Sequence, residues 1–139
     1  MRLRVENHIR DVHLRFIESN GSGRIRMDTY EAYAAKPENV IIVCYCAHGR
    51  IRAMSASILE GKECTKSITI TQKGWRKQGL GSLVLQYRMS LLPGYSIATI
   101  VAEDNHASNR LVSRAGMIKT GEQESVRKSG PYKVLIYER

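Results

Sequence analysis

The chain has 139 residues, 42% of them hydrophobic and 25% charged. That is enough apolar material for one buried core and too little chain for two, so the composition predicts a single globular domain over residues 1–139 and excludes two-domain enzymes, collagen-like repeats and wholly disordered chains. With 22 Lys and Arg against 13 Asp and Glu, the formal charge is +9, a balance that suits an anionic ligand, a nucleic-acid partner or simply a solvated basic surface.

Residues 2–7 alternate polar and apolar, with Leu3 and Val5 on one face, and predict a short edge strand. No apolar stretch of signal-peptide length occurs in this start. Ile9, Val12, Phe16 and Ile17 recur at helical spacing up to the stop Asn20-Gly21-Ser22-Gly23. A second short helix is expected over 28–35, with Asp28 as its cap and its end set by Pro37. Val40–Ala47 and residues 50–59 read as two strands joined by a tight turn at His48-Gly49, and a third strand is expected over 65–71 after a turn near Gly61. Val40–Ala47 is also the longest apolar run, eight residues, against the roughly 20 that a membrane-spanning helix needs. No membrane segment is therefore expected.

From Gly79 the period changes. Leu80, Leu83, Val84, Tyr87 and Leu91 mark one face of a helix that Pro93-Gly94 ends. Residues 95–102 are apolar and β-branched enough for a buried strand. Residues 105–115 form the next helix, capped by Asp104 or Asn105 and ended by Gly116. Two strand-like pieces follow, 117–120 and 132–137, with a polar loop containing Ser129-Gly130-Pro131 between them. The order is β-α-α-β-β-β-α-β-α-β-β, a mixed α/β sheet with helices on its faces.

Charge is unevenly placed. Residues 61–90 carry a net +5 and residues 110–139 a net +4, so the excess lies wholly in these two segments and any anion is expected to meet the second half. Three cysteines, Cys44, Cys46 and Cys64, make no disulfide framework and favour a reducing, cytoplasmic compartment. Cys44 and Cys46 share a strand face and lack the second ligand pair a metal centre would want, so no metal is expected.

The chemistry concentrates at Arg76-Lys77-Gln78-Gly79-Leu80-Gly81-Ser82, between the third strand of the meander and the amphipathic helix. A glycine-rich turn at a helix start exposes unpaired N–H groups beside the positive end of the helix dipole, and a pyrophosphate is bound there without side-chain donors. Glycine keeps a Cβ out of the approach, and Lys73, Arg76 and Lys77 add positive charge. Two glycines before a helix also occur in plain turns, so the motif alone leaves both readings open.

In this strand-to-helix setting the sequence resembles the GCN5-related N-acetyltransferases, whose acetyl-CoA motif Q/R-x-x-G-x-G/A is met by Arg76, Gly79 and Gly81 with Leu80 between the glycines. A second signature, N-x-x-A/S-x-x-L followed by Gly and a hydrophobic residue, is met by Asn105, Ser108, Leu111, Gly116 and Met117. The resemblance spans essentially the whole chain. It implies a mostly antiparallel central sheet of six to seven strands with helices on both faces. It also implies transfer of an acetyl group from acetyl-CoA to a primary amine within a ternary complex. Carried over residue by residue, it puts the CoA pyrophosphate on Lys77, Gln78, Gly79, Leu80, Gly81 and Ser82 beside Arg76. The pantetheine lies along Thr69, Ile70 and Thr71 as an added strand, with Asn105 bonded to it and Asn109 assisting. The strands near Thr71 and Ile100 are expected to splay apart. Dimers are frequent among such proteins.

The sequence departs from the family where protons move. Many members carry a Glu five residues before the motif Asn and a Tyr seven after it; here these are Ile100 and Val112. The candidates left are Glu103 or Asp104, one of which orients a water, and Tyr132, preferred over Tyr137 in the same strand, to protonate the leaving sulfur. His106 and His48 suit surface roles, and Trp75 suits packing. Strand alternation puts Glu103 and Asp104 on opposite faces. A catalytically weak basic module that binds nucleic acid is the alternative function, and an amine on a protein or nucleic acid is compatible with both the charge and the fold.

Overall fold

The computed structural model describes residues 2–21, 25–127 and 130–139. In chain order the elements are β1 (Arg2–Glu6), α1 (Asp11–Asn20), α2 (Met27–Ala34), β2 (Val40–Ala47), β3 (Arg50–Glu60), β4 (Glu63–Thr71), a short 3-10 turn (Lys73–Trp75), α3 (Leu80–Ser90), β5 (Ser96–Ala102), α4 (His106–Arg114), β6 (Ile118–Arg127) and β7 (Gly130–Glu138). The strands form one seven-stranded sheet in the order β1-β2-β3-β4-β5-β7-β6. Every pairing is antiparallel except that of β4 with β5. This is the mixed, mostly antiparallel architecture expected, in the expected order. Ser22, Gly23 and Ser129 of the predicted turns lie outside the described residues, as does Lys128. No helix among the described residues is long and apolar enough to cross a membrane.

Helices cover both faces because each presents an apolar stripe that only the sheet can bury. On one face α1 and α2 set Phe16, Ile17 and Tyr33 against Ile42, Met54, Ile68 and Ile70. On the other, α3 packs Leu80 and Val84 on Val43 and Ala53. Further along the same face, Leu85 and Met89 of α3 and Val112 of α4 meet Cys64, Ile97, Val101, Leu135 and Tyr137.

Three sequence expectations are corrected. The apolar face of α3 is rotated: Leu80, Val84, Leu85, Arg88 and Met89 are buried, whereas Leu83, Tyr87 and Leu91 are each about 40% exposed, because α3 lies in the corner between the sheet and α4. The polar stretch expected as a loop is mostly β6. It is an edge strand with one partner, and its charged side chains deter further pairing. Helix α2 starts after Arg26 rather than at Asp28. Strand β1 is the short edge strand expected, paired with β2 alone, and its Val5 is half exposed.

The feature that positions the site is a fork. Strands β4 and β5 pair only at Glu63↔Ser96 and Cys64↔Ile97, so from Thr65 onward β4 faces a gap, as expected for the strands near Thr71 and Ile100. A bulge starts the divergence: Ile58 pairs with Thr65 and Ala56 with Ile68, so Lys66 and Ser67 together oppose Ser57. Lys66 takes φ 50°, the left-handed backbone such a bulge uses. Helix α2 holds it in place, since the buried Tyr33 hydroxyl donates to the Lys66 carbonyl at 2.6 Å and Asp28 pairs with Lys66 Nζ at 3.2 Å.

Candidate active site

The chain leaves β4 at Thr71 and must turn sharply into α3. Arg52 braces that turn: Nη1 donates to Gln72 Oε1 at 2.7 Å, Nε donates to the Ala47 carbonyl at 3.1 Å, and the guanidinium lies 4.7 Å from the centre of the Trp75 ring. Trp75 packs against the Leu80 and Val84 cluster, the packing role expected. Arg76 Nε donates to the Thr71 carbonyl at 3.2 Å, which ties this side chain to the strand end. Lys77 and Gln78 are exposed.

Gly79 is the N-cap of α3, with φ 78° and no side chain to cap the helix. The amides of Leu80, Gly81 and Ser82 are the orphan donors of the first turn; Leu83 N–H is the first to reach a carbonyl, Gly79 O at 3.0 Å. There is no acidic residue in this turn, so its positive dipole end is unopposed. The two glycines serve different purposes. Gly79 is required by its left-handed backbone, with open space around a would-be Cβ. At Gly81 a Cβ would stand 3.1 Å from Thr71 Oγ1 and 3.2 Å from Leu111 Cδ1, so this glycine lets α3 seat closely on β4 and α4. The expectation that a Cβ would chiefly obstruct a ligand is corrected at this position: it would first press on the protein itself.

Beside this turn lies the unpaired edge of β4. Thr69, Ile70 and Thr71 pair with Ser55, Met54 and Ala53 of β3 on one side and with no strand on the other. The side chains of Thr69 and Thr71 face α3, and Ile70 is buried against α1 and α2. Across the gap, Asn105 caps α4, its Oδ1 accepting from Ser108 N–H at 3.3 Å; its Nδ2 makes no bond among the described residues. Asn109 is used up inside the fold. Its Nδ2 donates to the carbonyls of Ala102, Glu103 and Asn105, and its Oδ1 accepts from the Tyr137 hydroxyl at 2.8 Å. Both ends of the Asn109 amide are thus engaged inside the fold.

The two proton-handling candidates are not brought together. Tyr137 and Leu135 lie on the α4 face, opposite Thr99 and Val101. By alternation Lys133 and Glu103 share that face, where Lys133 Nζ stands 3.8 Å from Glu103. Tyr132, Val134 and Ile136 point to the opposite face with Ile100, which is 46% exposed. Val112 is core.

Two features went unseen in the sequence. Glu6, His13 and Cys44 offer one ligand atom each within 4.8 Å of one another. His13 Nδ1 accepts from Arg10 N–H at 2.9 Å, however, so Nε2 carries the ring proton and donates to Glu6 at 2.7 Å. With both nitrogens engaged, the ring has no lone pair to give a metal. Burial pushes the Cys44 thiol up to about 12, which keeps it protonated and inert. The second is Arg88, 1% exposed in the middle of α3, which lies outside the apolar stripe of Leu80, Leu83, Val84, Tyr87 and Leu91.

No protein-family model and no curated protein matches the chain. Solved structures do. The ribosomal-protein-S18-alanine N-acetyltransferase from Escherichia coli superposes with a TM-score of 0.79 over 99% of this chain and 92% of its own, at 14% identity. An acetyltransferase of the GNAT family from Streptococcus pneumoniae gives 0.72 over 99% of both chains at 16% identity. The ribosomal L7/L12 alpha-N-protein acetyltransferase RimL, solved in complex with coenzyme A, gives 0.64 over 73% of this chain and 62% of its own at 16% identity. The chain therefore has the fold of the GCN5-related N-acetyltransferases.

Proposed function

We propose that this protein is a cytoplasmic N-acetyltransferase that moves the acetyl group of acetyl-CoA to a primary amine. The observation that carries the reading is the free edge of β4 running directly into the orphan amides of α3. An extended, amide-bearing ligand with an anionic end fits both at once: the pyrophosphate on the N–H groups of Leu80, Gly81 and Ser82, with Lys77 and Gln78 beside them, and the pantetheine amides paired with Thr69, Ile70 and Thr71. In this reading Asn105 Nδ2 meets the same arm from across the gap. That a protein of this fold was solved with coenzyme A supports the assignment.

In this reading the amine approaches the fork from the face free of α3 and α4, where Ile100 and Tyr132 stand, and attacks the thioester directly. An acyl-cysteine route is disfavoured, because Cys44 is buried with a thiol held at about 12 and burial also raises Cys64. Tyr132 stands on that face and is assigned the proton returned to sulfur, whereas Glu103, on the opposite face and 3.8 Å from Lys133, is not placed to orient a water at the amine.

Calorimetric titration of acetyl-CoA into the purified protein tests the site. We expect micromolar binding, weakened at least tenfold by Ser82→Glu. That variant sets a carboxylate among the orphan amides, where it suits the helix dipole and leaves the fold intact. Gly81→Glu is the poorer probe, since its Cβ already meets Thr71 and Leu111. Absence of binding by the wild-type protein would remove the acetyltransferase reading.

A further inference from the structure

Arg88 heads the largest fully buried side chains of the protein, with 1% of its surface exposed. Its Nε donates to Ser55 Oγ at 2.8 Å and its Nη1 to Ser57 Oγ, while Nη2 donates to none of the described residues. Buried guanidinium groups ordinarily sit against a carboxylate, yet among the described residues none pairs with this one. The titratable and charged groups around it are Tyr33 of α2, Cys64 of β4 and Arg139 at the chain end. A buried cation without a counter-ion invites an anion from elsewhere.

The hydrogen bonds point to where that anion would lie. Ser55 Oγ is 2.9 Å from Thr69 Oγ1 and Ser57 Oγ is 2.7 Å from Ser67 Oγ, so Arg88 is linked through two hydroxyl pairs to the stretch of β4 that faces the gap. Helix and strand run side by side in opposite directions. Gly81 rests on Thr71, and about 10 Å further along α3 Arg88 meets Ser55 and Ser57, whose partners are Thr69 and Ser67, the latter about 13 Å back along β4 from Thr71. A ligand anchored by its anion at the start of α3 and paired along β4 therefore ends beside Ser67, just short of the apex of the fork at Cys64.

We propose that Arg88 is a positioning residue for the leaving group, a buried positive charge that, acting through Ser55–Thr69 and Ser57–Ser67, stabilises the sulfur of CoA as a thiolate. This rests on the acyl-CoA reading above. In the transfer the amine nitrogen forms the new C–N bond, the C–S bond breaks with its electron pair going to sulfur, and the proton of the ammonium passes to water. Sulfur then need not be protonated as it departs, which suits Val112, an apolar core residue with no proton to give.

The test needs no acceptor. Affinities of CoA and of desulfo-CoA, which lacks the thiol, are measured calorimetrically from pH 7 to 9.5 for the wild-type protein, Arg88→Met and Ser57→Ala. Titration of Cys64, Tyr33 and other protein groups affects both ligands alike and cancels in their ratio. A thiol ordinarily titrates near 8.5, and each unit by which the site lowers that value reads as about a tenfold rise in the CoA to desulfo-CoA affinity ratio. We expect the ratio to rise with pH in the wild type, starting below 8.5, and to flatten in Arg88→Met. Ser57→Ala, which keeps the arginine, should flatten it in part and decides the matter should Arg88→Met not fold. A flat wild-type ratio, or one unchanged in the variants, overturns the role of Arg88 while leaving the site intact. Failure of desulfo-CoA itself to bind overturns the acyl-CoA reading and this inference with it.

Discussion

His13 shows how one residue links a helix start, a strand and the pH dependence of the whole. Its ring closes the first turn of α1 by accepting from Arg10 N–H and reaches back to Glu6 at the end of β1. Burial lowers its pKa, and the hydrogen bond and charge of Glu6 offset this only in part, so the folded value lies below the ordinary 6.5. For Glu6, burial acts upward, but the bonds from His13 and Arg10 outweigh it and leave the carboxyl below 4.5. Both groups then bind more protons unfolded than folded in acid, so their contribution is complete above about pH 6.5 and is lost as the pH falls through the lowered folded values. Urea melts at intervals from pH 7.5 to 4 should show stability falling below pH 6.5. In His13→Asn, whose amide oxygen can still accept from Arg10 N–H, the loss between pH 6.5 and 5 should shrink. A slope unchanged in the variant would mean that His13 is not its source.

At the scale of elements, α2 is the clamp on the β4 bulge. Tyr33 is wholly buried and its hydroxyl meets the Lys66 carbonyl. Tyr33→Phe keeps the ring in the core and leaves that carbonyl without its donor, a loss of about 1–2 kcal/mol. Hydrogen exchange should show it first in β4 between Thr65 and Thr69, and an effect spread evenly over the sheet would mean that the bulge is held by other contacts. That clamp was illegible in the sequence, because neither Tyr33 nor Lys66 carries a local signal and the bulge exists only in the register of β3 against β4. What local chemistry dictates was legible: the order of strands and helices, the His48-Gly49 turn, the Asn105 cap, and the glycine turn into α3. Elements decided by their neighbours were not. A polar edge strand such as β6 has a loop's composition, and the true buried arc of α3 contains Arg88, which breaks an apolar stripe. For the same reason the bond from Tyr137 to Asn109 was illegible, since the two residues are distant in sequence.

On the scale of the molecule, the sheet is two blocks, β1 to β4 and β5 to β7, joined in the sheet by only two residue pairs. What otherwise couples them is the cluster of Leu85, Met89, Val112 and their neighbours, together with Arg139, whose guanidinium donates to the carbonyls of Met89, Leu92 and Tyr95 at the end of α3. A ligand seated in the fork would touch β4 and the start of α3 on one side and Asn105 at the head of α4 on the other, and so would bridge the blocks. Binding to the folded state alone at 100 times Kd adds about 2.7 kcal/mol, which raises Tm by roughly 5–15 °C for a domain of this size. The distribution of that gain is the telling part. Acetyl-CoA should slow amide exchange in β4 and in β5 with α4 together, since opening either block would break the bridge. Desulfo-CoA should do the same, because the bridge is built by the pantetheine amides and not by the sulfur. Protection confined to the first turn of α3 would mean that the anion alone is held there, and that the free edge of β4 is not the pantetheine's partner.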